Sequence, residues 1–133
     1  MHVRISLHRF VDELTEGLVP LAVSRKSIII NQIDRDVQIG SDENMLAYVL
    51  YSLLDRVINS TQNECIHIES VSTRDCTVIR VRNAGVYFYR TVSNDFRQVQ
   101  YAAERLGGSI SIDYTDHTSP TVELTLYNKM TAA

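Results

Sequence analysis

Ser41-Asp42-Glu43-Asn44-Met45-Leu46-Ala47-Tyr48-Val49-Leu50-Tyr51-Ser52-Leu53-Leu54-Asp55-Arg56-Val57-Ile58-Asn59-Ser60-Thr61 reads as the central helix of this chain. Leu46, Val49, Leu50, Leu53, Val57 and Ile58 recur at three- and four-residue steps and draw one apolar stripe along it. Ser41 or Asp42 can cap its start, and the charges of Asp42 and Glu43 suit the positive end of a helix dipole. A second stripe, Ser52, Arg56 and Asn59, is polar and points away from the apolar one.

Upstream, Val3, Ile5 and Leu7 alternate with Arg4, Ser6 and His8, the period of a short half-buried strand over His2 to Leu7. From about Arg9, Phe10, Leu14, Leu18 and Leu21 follow helical spacing, with Asp12, Glu13 and Glu16 opposite. Gly17 and Pro20 predict a kink or a helix in two pieces. Ser27 to Ile33, with Ile28, Ile29, Ile30 and Ile33, hardly alternates and predicts a strand covered on both faces or nearly so. Asp34-Arg35-Asp36 turns the chain into a short strand from Val37 to Gly40.

Downstream, Cys65 to Val71 and Thr77 to Arg82 read as paired strands around the turn at Ser72-Thr73-Arg74-Asp75. After Asn83-Ala84-Gly85 the apolar run Val86-Tyr87-Phe88-Tyr89 leads to a helix from about Asn94 to Leu106. Phe96, Val99, Ala103 and Leu106 form its inward side, and Gly107-Gly108 stops it. Ser109 to Tyr114 and Thr121 to Tyr127 then make a hairpin. The order is strand, helix, two strands, helix, two strands, helix, two strands. Helices with one apolar stripe each must share one face of a mixed sheet, so the pattern predicts a two-layer α/β sandwich.

The 133 residues suit a single domain with one real core. A formal charge of -3 offers no general attraction to nucleic acid or anionic membrane. No apolar run approaches the roughly 20 residues that cross a bilayer. All cations but Lys26 and Lys129 are arginine, suited to bidentate pairing with carboxylates or phosphates. Without a secretory signal, Cys65 and Cys76 read as two reduced, half-buried thiols, and the chain as cytoplasmic.

Three segments together resemble the ATP-binding domain of histidine kinases, within the GHKL group of ATPases, and the resemblance covers nearly the whole chain. Val37 to Leu46 looks like the entry into the nucleotide helix. Val78-Ile79-Arg80-Val81-Arg82-Asn83-Ala84-Gly85 looks like the strand and turn that recognise adenine. Ala102 to Ile110 looks like the closing helix and its double glycine. The resemblance implies a single histidine-kinase-like ATPase domain over residues 1–133, with a mixed sheet and three helices on one face. It implies ATP with Mg²⁺ as the ancestral ligand, and a response regulator or kinase component as partner. Homodimerisation stays open.

The site positions that it implies depart from the family pattern one after another. Arg56 stands where an asparagine holds Mg²⁺, and a guanidinium has no lone pair for a metal. Ser52 stands one turn earlier, where a polar or acidic residue orients water, and Asn59 lies nearly a turn too far along to replace the asparagine. Asn83 replaces the adenine-binding aspartate. Gly85 matches the first glycine of that turn, but Tyr87 replaces the second. Only Val86 to Asn94 intervene where the family places its lid and glycine-rich phosphate loop, and Ser93-Asn94-Asp95-Phe96 offers no phosphate cradle.

These departures predict a degenerate domain without ATP turnover, without a cofactor and without the dimerisation hairpin of a kinase. It would act through a protein partner in two-component signalling. The alternative is a divergent but working nucleotide domain in which Arg56 neutralises phosphate. Arg56 also reads more simply as the ion-pair partner of Asp55 or of a carboxylate across the cleft. Tyr87, Phe88 and Tyr89 read equally well as a docking surface or as packing over an empty cleft. His8 has no helical hairpin on which to act as a phospho-acceptor, and His2, His67 and His117 suggest no relay or metal.

Overall fold

In the computed structural model, residues 2–82, 94–113 and 121–127 are described. The chain runs β1 (His2–Ser6), α1 (Leu7–Glu16), α2 (Val19–Ser24), β2 (Ile28–Asn31), β3 (Gln38–Asp42), α3 (Glu43–Asn59), β4 (Cys65–Ser72), β5 (Cys76–Arg82), α4 (Asn94–Arg105), β6 (Gly108–Asp113) and β7 (Thr121–Tyr127). This is the order read from the sequence, with the first helix in two pieces. Pro20 sits in the first turn of α2, where its missing N–H leaves no bond unmade.

Five strands form a mixed sheet in the order β2-β4-β5-β7-β6, while β1 and β3 pair as a separate antiparallel ribbon. In the sheet, β2 runs parallel to β4 and every other pair is antiparallel. Ile66 and Ile68 of β4, Ile79 and Val81 of β5, and Val122 and Leu124 of β7 all turn to one face and are buried there. The helices pack on that face, and α3 contributes its whole apolar line, from Leu46 and Val49 to Val57 and Ile58. The buried apolar residues, ribbon and helices included, form one cluster.

The other face of the sheet carries polar and half-exposed residues. There Arg80 Nε meets Glu123 Oε2 at 2.6 Å, and Arg82 Nε meets Glu69 Oε1 at 3.2 Å. Arg80 lies directly opposite both Glu69 and Glu123 in the register, the geometry that favours opposite charges across strands.

Two local expectations change. The Ile28-Ile29-Ile30 strand is not covered on both faces: among the described residues β2 is the sheet's edge, with Ile28 exposed and Ile29 and Ile30 half-buried. Continuous β-branched runs fit a doubly covered strand, but here the run supplies only one packed face and an edge. The first helix starts at Leu7 rather than Arg9, so its buried line is Leu7, Val11 and Thr15, continuing to Leu18. Phe10, Leu14 and Leu21 lie at the margin of the core.

Candidate functional site

Helix α3 is set by its cap. Asp42 closes β3 in an extended conformation and accepts the Met45 N–H on its side chain at 3.1 Å. That hydrogen bond, with Met45 first among the causes, holds the Asp42 carboxyl below its usual pKa. The strand register is thereby converted into a helix phase: Ser41 faces the core and Leu46 follows into it. One face of α3 is consumed by packing, and the remaining residues Tyr48, Ser52, Asp55, Arg56 and Asn59 line a groove.

The groove encloses about 480 Å³. Tyr48 and Tyr51 line it from the first half of α3, and Gln98 and Val99 of α4 close the far wall. Val99 is buried against the core, whereas Gln98 is exposed. Tyr48 and Tyr51 are half-exposed, presenting ring surface to solvent. Asn59 donates its amide N–H to the Asp55 carbonyl at 2.9 Å, and its side-chain oxygen is an acceptor.

The sequence reading placed Ser52, Arg56 and Asn59 on one stripe, and the structure brings all three into this groove. It missed Tyr48, Tyr51 and Gln98. The first two were detectable, since Tyr48 precedes Ser52 by four residues and Tyr51 precedes Asp55 by four, the spacing of neighbours on one helix face. Gln98 depends on how α4 docks on α3, which no local pattern reveals. Asn83, Gly85, Tyr87, Phe88, Tyr89 and His117 lie outside the described residues.

The lining does not fit a magnesium site of the usual kind. Mg²⁺ needs several oxygen donors at octahedral angles. Here Asp55 brings one carboxylate, and the adjacent Arg56 brings a fixed cation with donors only. Ser52, Asn59 and the tyrosines add neutral polar groups. The chemistry of such a set suits planar or anionic groups, which a guanidinium and aromatic faces can meet. Among the described residues, no group of three or more His, Cys, Asp or Glu side chains is gathered to hold a metal ion.

The remaining chemical residues serve packing. His8 Nδ1 meets the Ile33 carbonyl at 2.6 Å and Nε2 lies 3.3 Å from Asp12, so the ring ties α1 to the end of β2. His67 pairs with Gln32 at 3.0 Å. Cys65 and Cys76 are both thiols at opposite ends of the β4–β5 hairpin; Cys76 is half-buried as expected, but Cys65 is exposed because it opens β4.

No family model matches the sequence, and no curated protein matches it. Solved structures match it in shape. Acinetobacter baumannii histidine kinase AdeS aligns with a TM-score of 0.81 at 11% identity, over 97% of this chain and 68% of that one. The catalytic domain of histidine kinase ThkA, in a nucleotide-free form, gives 0.80 at 13%, over 96% of this chain and 97% of that one. A histidine kinase from Burkholderia phymatum gives 0.76 at 15%, over 96% and 71%. Identities this low carry architecture alone. The chain has the fold of histidine-kinase ATPase domains.

Proposed function

We propose that this chain is a degenerate histidine-kinase-type ATP-binding domain that no longer turns over ATP and acts as a protein-interaction module in two-component signalling. One observation carries the reading: the polar stripe of α3 faces a groove, and on that stripe stands Arg56, at the position where the sequence resemblance implies a magnesium-holding oxygen. Asn83 and Tyr87 at the adenine turn, and the short Val86 to Asn94 segment in place of a lid, support it from the sequence. The domain spans residues 1–133, works in the cytoplasm and needs no cofactor.

The groove suits a protein partner because tyrosine and arginine dominate the energetics of protein interfaces. Tyr48 and Tyr51 offer ring area at little conformational cost, and Arg56 and Asp55 set polarity. A response regulator or a kinase component is the partner class that two-component signalling supplies. Mechanism here is binding alone: the sheet holds α3 rigid, and α3 displays the stripe.

A second reading has one observation in its favour. A groove of about 480 Å³ lined by rings and a guanidinium is large enough for a nucleotide, and Arg56 would then grip phosphate without a metal. Calorimetry of ATP and ADP, with and without Mg²⁺, on wild type and Arg56→Asn separates the two. The interaction-module reading expects no heat and no thermal shift up to millimolar nucleotide. Micromolar, magnesium-dependent binding would overturn it in favour of a rebuilt kinase site. Binding that ignores magnesium and disappears in Arg56→Asn would make the domain a nucleotide sensor.

A further inference from the structure

The edge strand β2 is protected by its shortness, at four residues, but not by charge or proline. Edges are normally blunted by charge, proline or a bulge, because their outward N–H and C=O groups template another strand. Ile28-Ile29-Ile30-Asn31 has no charged residue and no proline. Among the described residues its one strand neighbour is β4. The hydrogen-bond phase is defined by its ends: Ile28 N–H bonds the Glu64 carbonyl at 2.9 Å, and Gln32 N–H bonds the Ile68 carbonyl at 2.7 Å. In a parallel pair the residues that face a neighbour alternate. Ile28, Ile30 and Gln32 therefore turn to β4, and Ile29 and Asn31 turn their backbone groups to the open edge.

Apolar surface is concentrated beside that edge. Val23 is 66% exposed, Ile28 61% and Val19 51%. They line a groove of about 250 Å³ between α2 and β2, with Ala22 and Ile29 at its base. Charge then selects the occupant and its direction. The exposed Lys26 lies just before β2, and the exposed Asp34 and Asp36 lie just after it. A second copy of this strand in parallel would set like charges side by side. In antiparallel, the basic end of each copy meets the acidic end of the other.

We infer that this chain forms a two-fold homodimer by antiparallel pairing of β2 with β2 of a second copy, making one continuous sheet. With Ile30 opposite the second copy's Ile30 on the axis, Ile29 faces the second copy's Asn31, and both have backbone groups free to exchange bonds. The same register sets Lys26 opposite the second copy's Asp34. A self-complementary patch of this kind is what a closed two-fold interface requires. The assembly stands independently of the α3–α4 groove.

Sedimentation equilibrium on the full chain tests it, with charge reversal as the discriminating arm. The expected result is a reversible dimer whose dissociation constant lies below about 100 μM and rises with salt. Lys26→Asp weakens it by about tenfold or more, and adding Asp34→Lys to that variant restores it. Ile30→Lys places two cations at the axis and gives a monomer that keeps its fold by circular dichroism. Amide exchange expects concentration-dependent protection at Ile29 and Asn31, with Ile28 and Ile30 protected at every concentration. A chain monomeric at about 100 μM overturns the inference. So does a dimer that ignores the charge reversals, which would belong to another surface.

Discussion

Asp42 shows how much one side chain can organise. Its carboxylate ends β3, caps α3 and so sets the phase that turns Leu46 inward and Ser52 outward. Because the Met45 N–H holds its folded pKa below the ordinary value, the unfolded chain takes up the proton first on acidification. The cap's contribution is whole above about pH 4 and is lost as pH falls through the lowered folded value. Asp42→Ala should lower the melting temperature near neutrality and flatten the acid limb of the stability profile, while Asp42→Asn should keep most of the neutral stability. Identical acid limbs for wild type and Asp42→Ala would refute this. The two glycines after α4 make a sharper pair. Gly107 has φ +81° with open space around it, so Gly107→Ala should cost about 1 kcal/mol through backbone strain. A Cβ on Gly108 would collide with the Thr125 carbonyl oxygen and the Leu126 side chain. Gly108→Ala should cost about 3 kcal/mol or more, and denaturant titration of both variants gives the order.

At the scale of elements, α3 is divided between a buried face and one that lines the groove. Leu53 is buried under the sheet, and Leu53→Ala should destabilise by about 2–5 kcal/mol. Tyr51 keeps 42% of its surface in solvent, so Tyr51→Ala should change stability by under about 1 kcal/mol. If α3 is a docking helix, that second variant loses partner affinity at nearly unchanged stability; the reverse pattern would return Tyr51 to packing. Helix α3 was legible in the sequence, because its apolar stripe and its cap are local facts. Helix α1 was less so. Two overlapping stripes, one through Phe10 and Leu14 and one through Leu7 and Val11, both fit helical spacing, and only packing against β2, α3 and β1 decided for the second. For β2, the run of isoleucines correctly signalled a strand. Whether that strand lies at the centre or the edge depends on partners far along the chain, and β4 took one side while nothing described took the other.

Across the whole molecule, one connected core joins the ribbon, the helices and the sheet. Unfolding should therefore be a single transition, with a heat-capacity change of about 1.6–2.0 kcal/mol/K and equal calorimetric and van't Hoff enthalpies. Two resolved transitions would mean that the ribbon and the sheet melt apart. By itself the sequence determined the element order, the layered class, the capped central helix and the Ser52–Arg56–Asn59 stripe. Each of these follows from residues within a few positions of one another, where spacing alone dictates which side of an element meets water. Only the tertiary structure decided that β1 and β3 leave the main sheet, that β2 is its edge and that Gln98 and Val99 wall the groove. Those outcomes depend on which distant segments compete for the same hydrogen bonds and the same apolar face, a competition that no local pattern records.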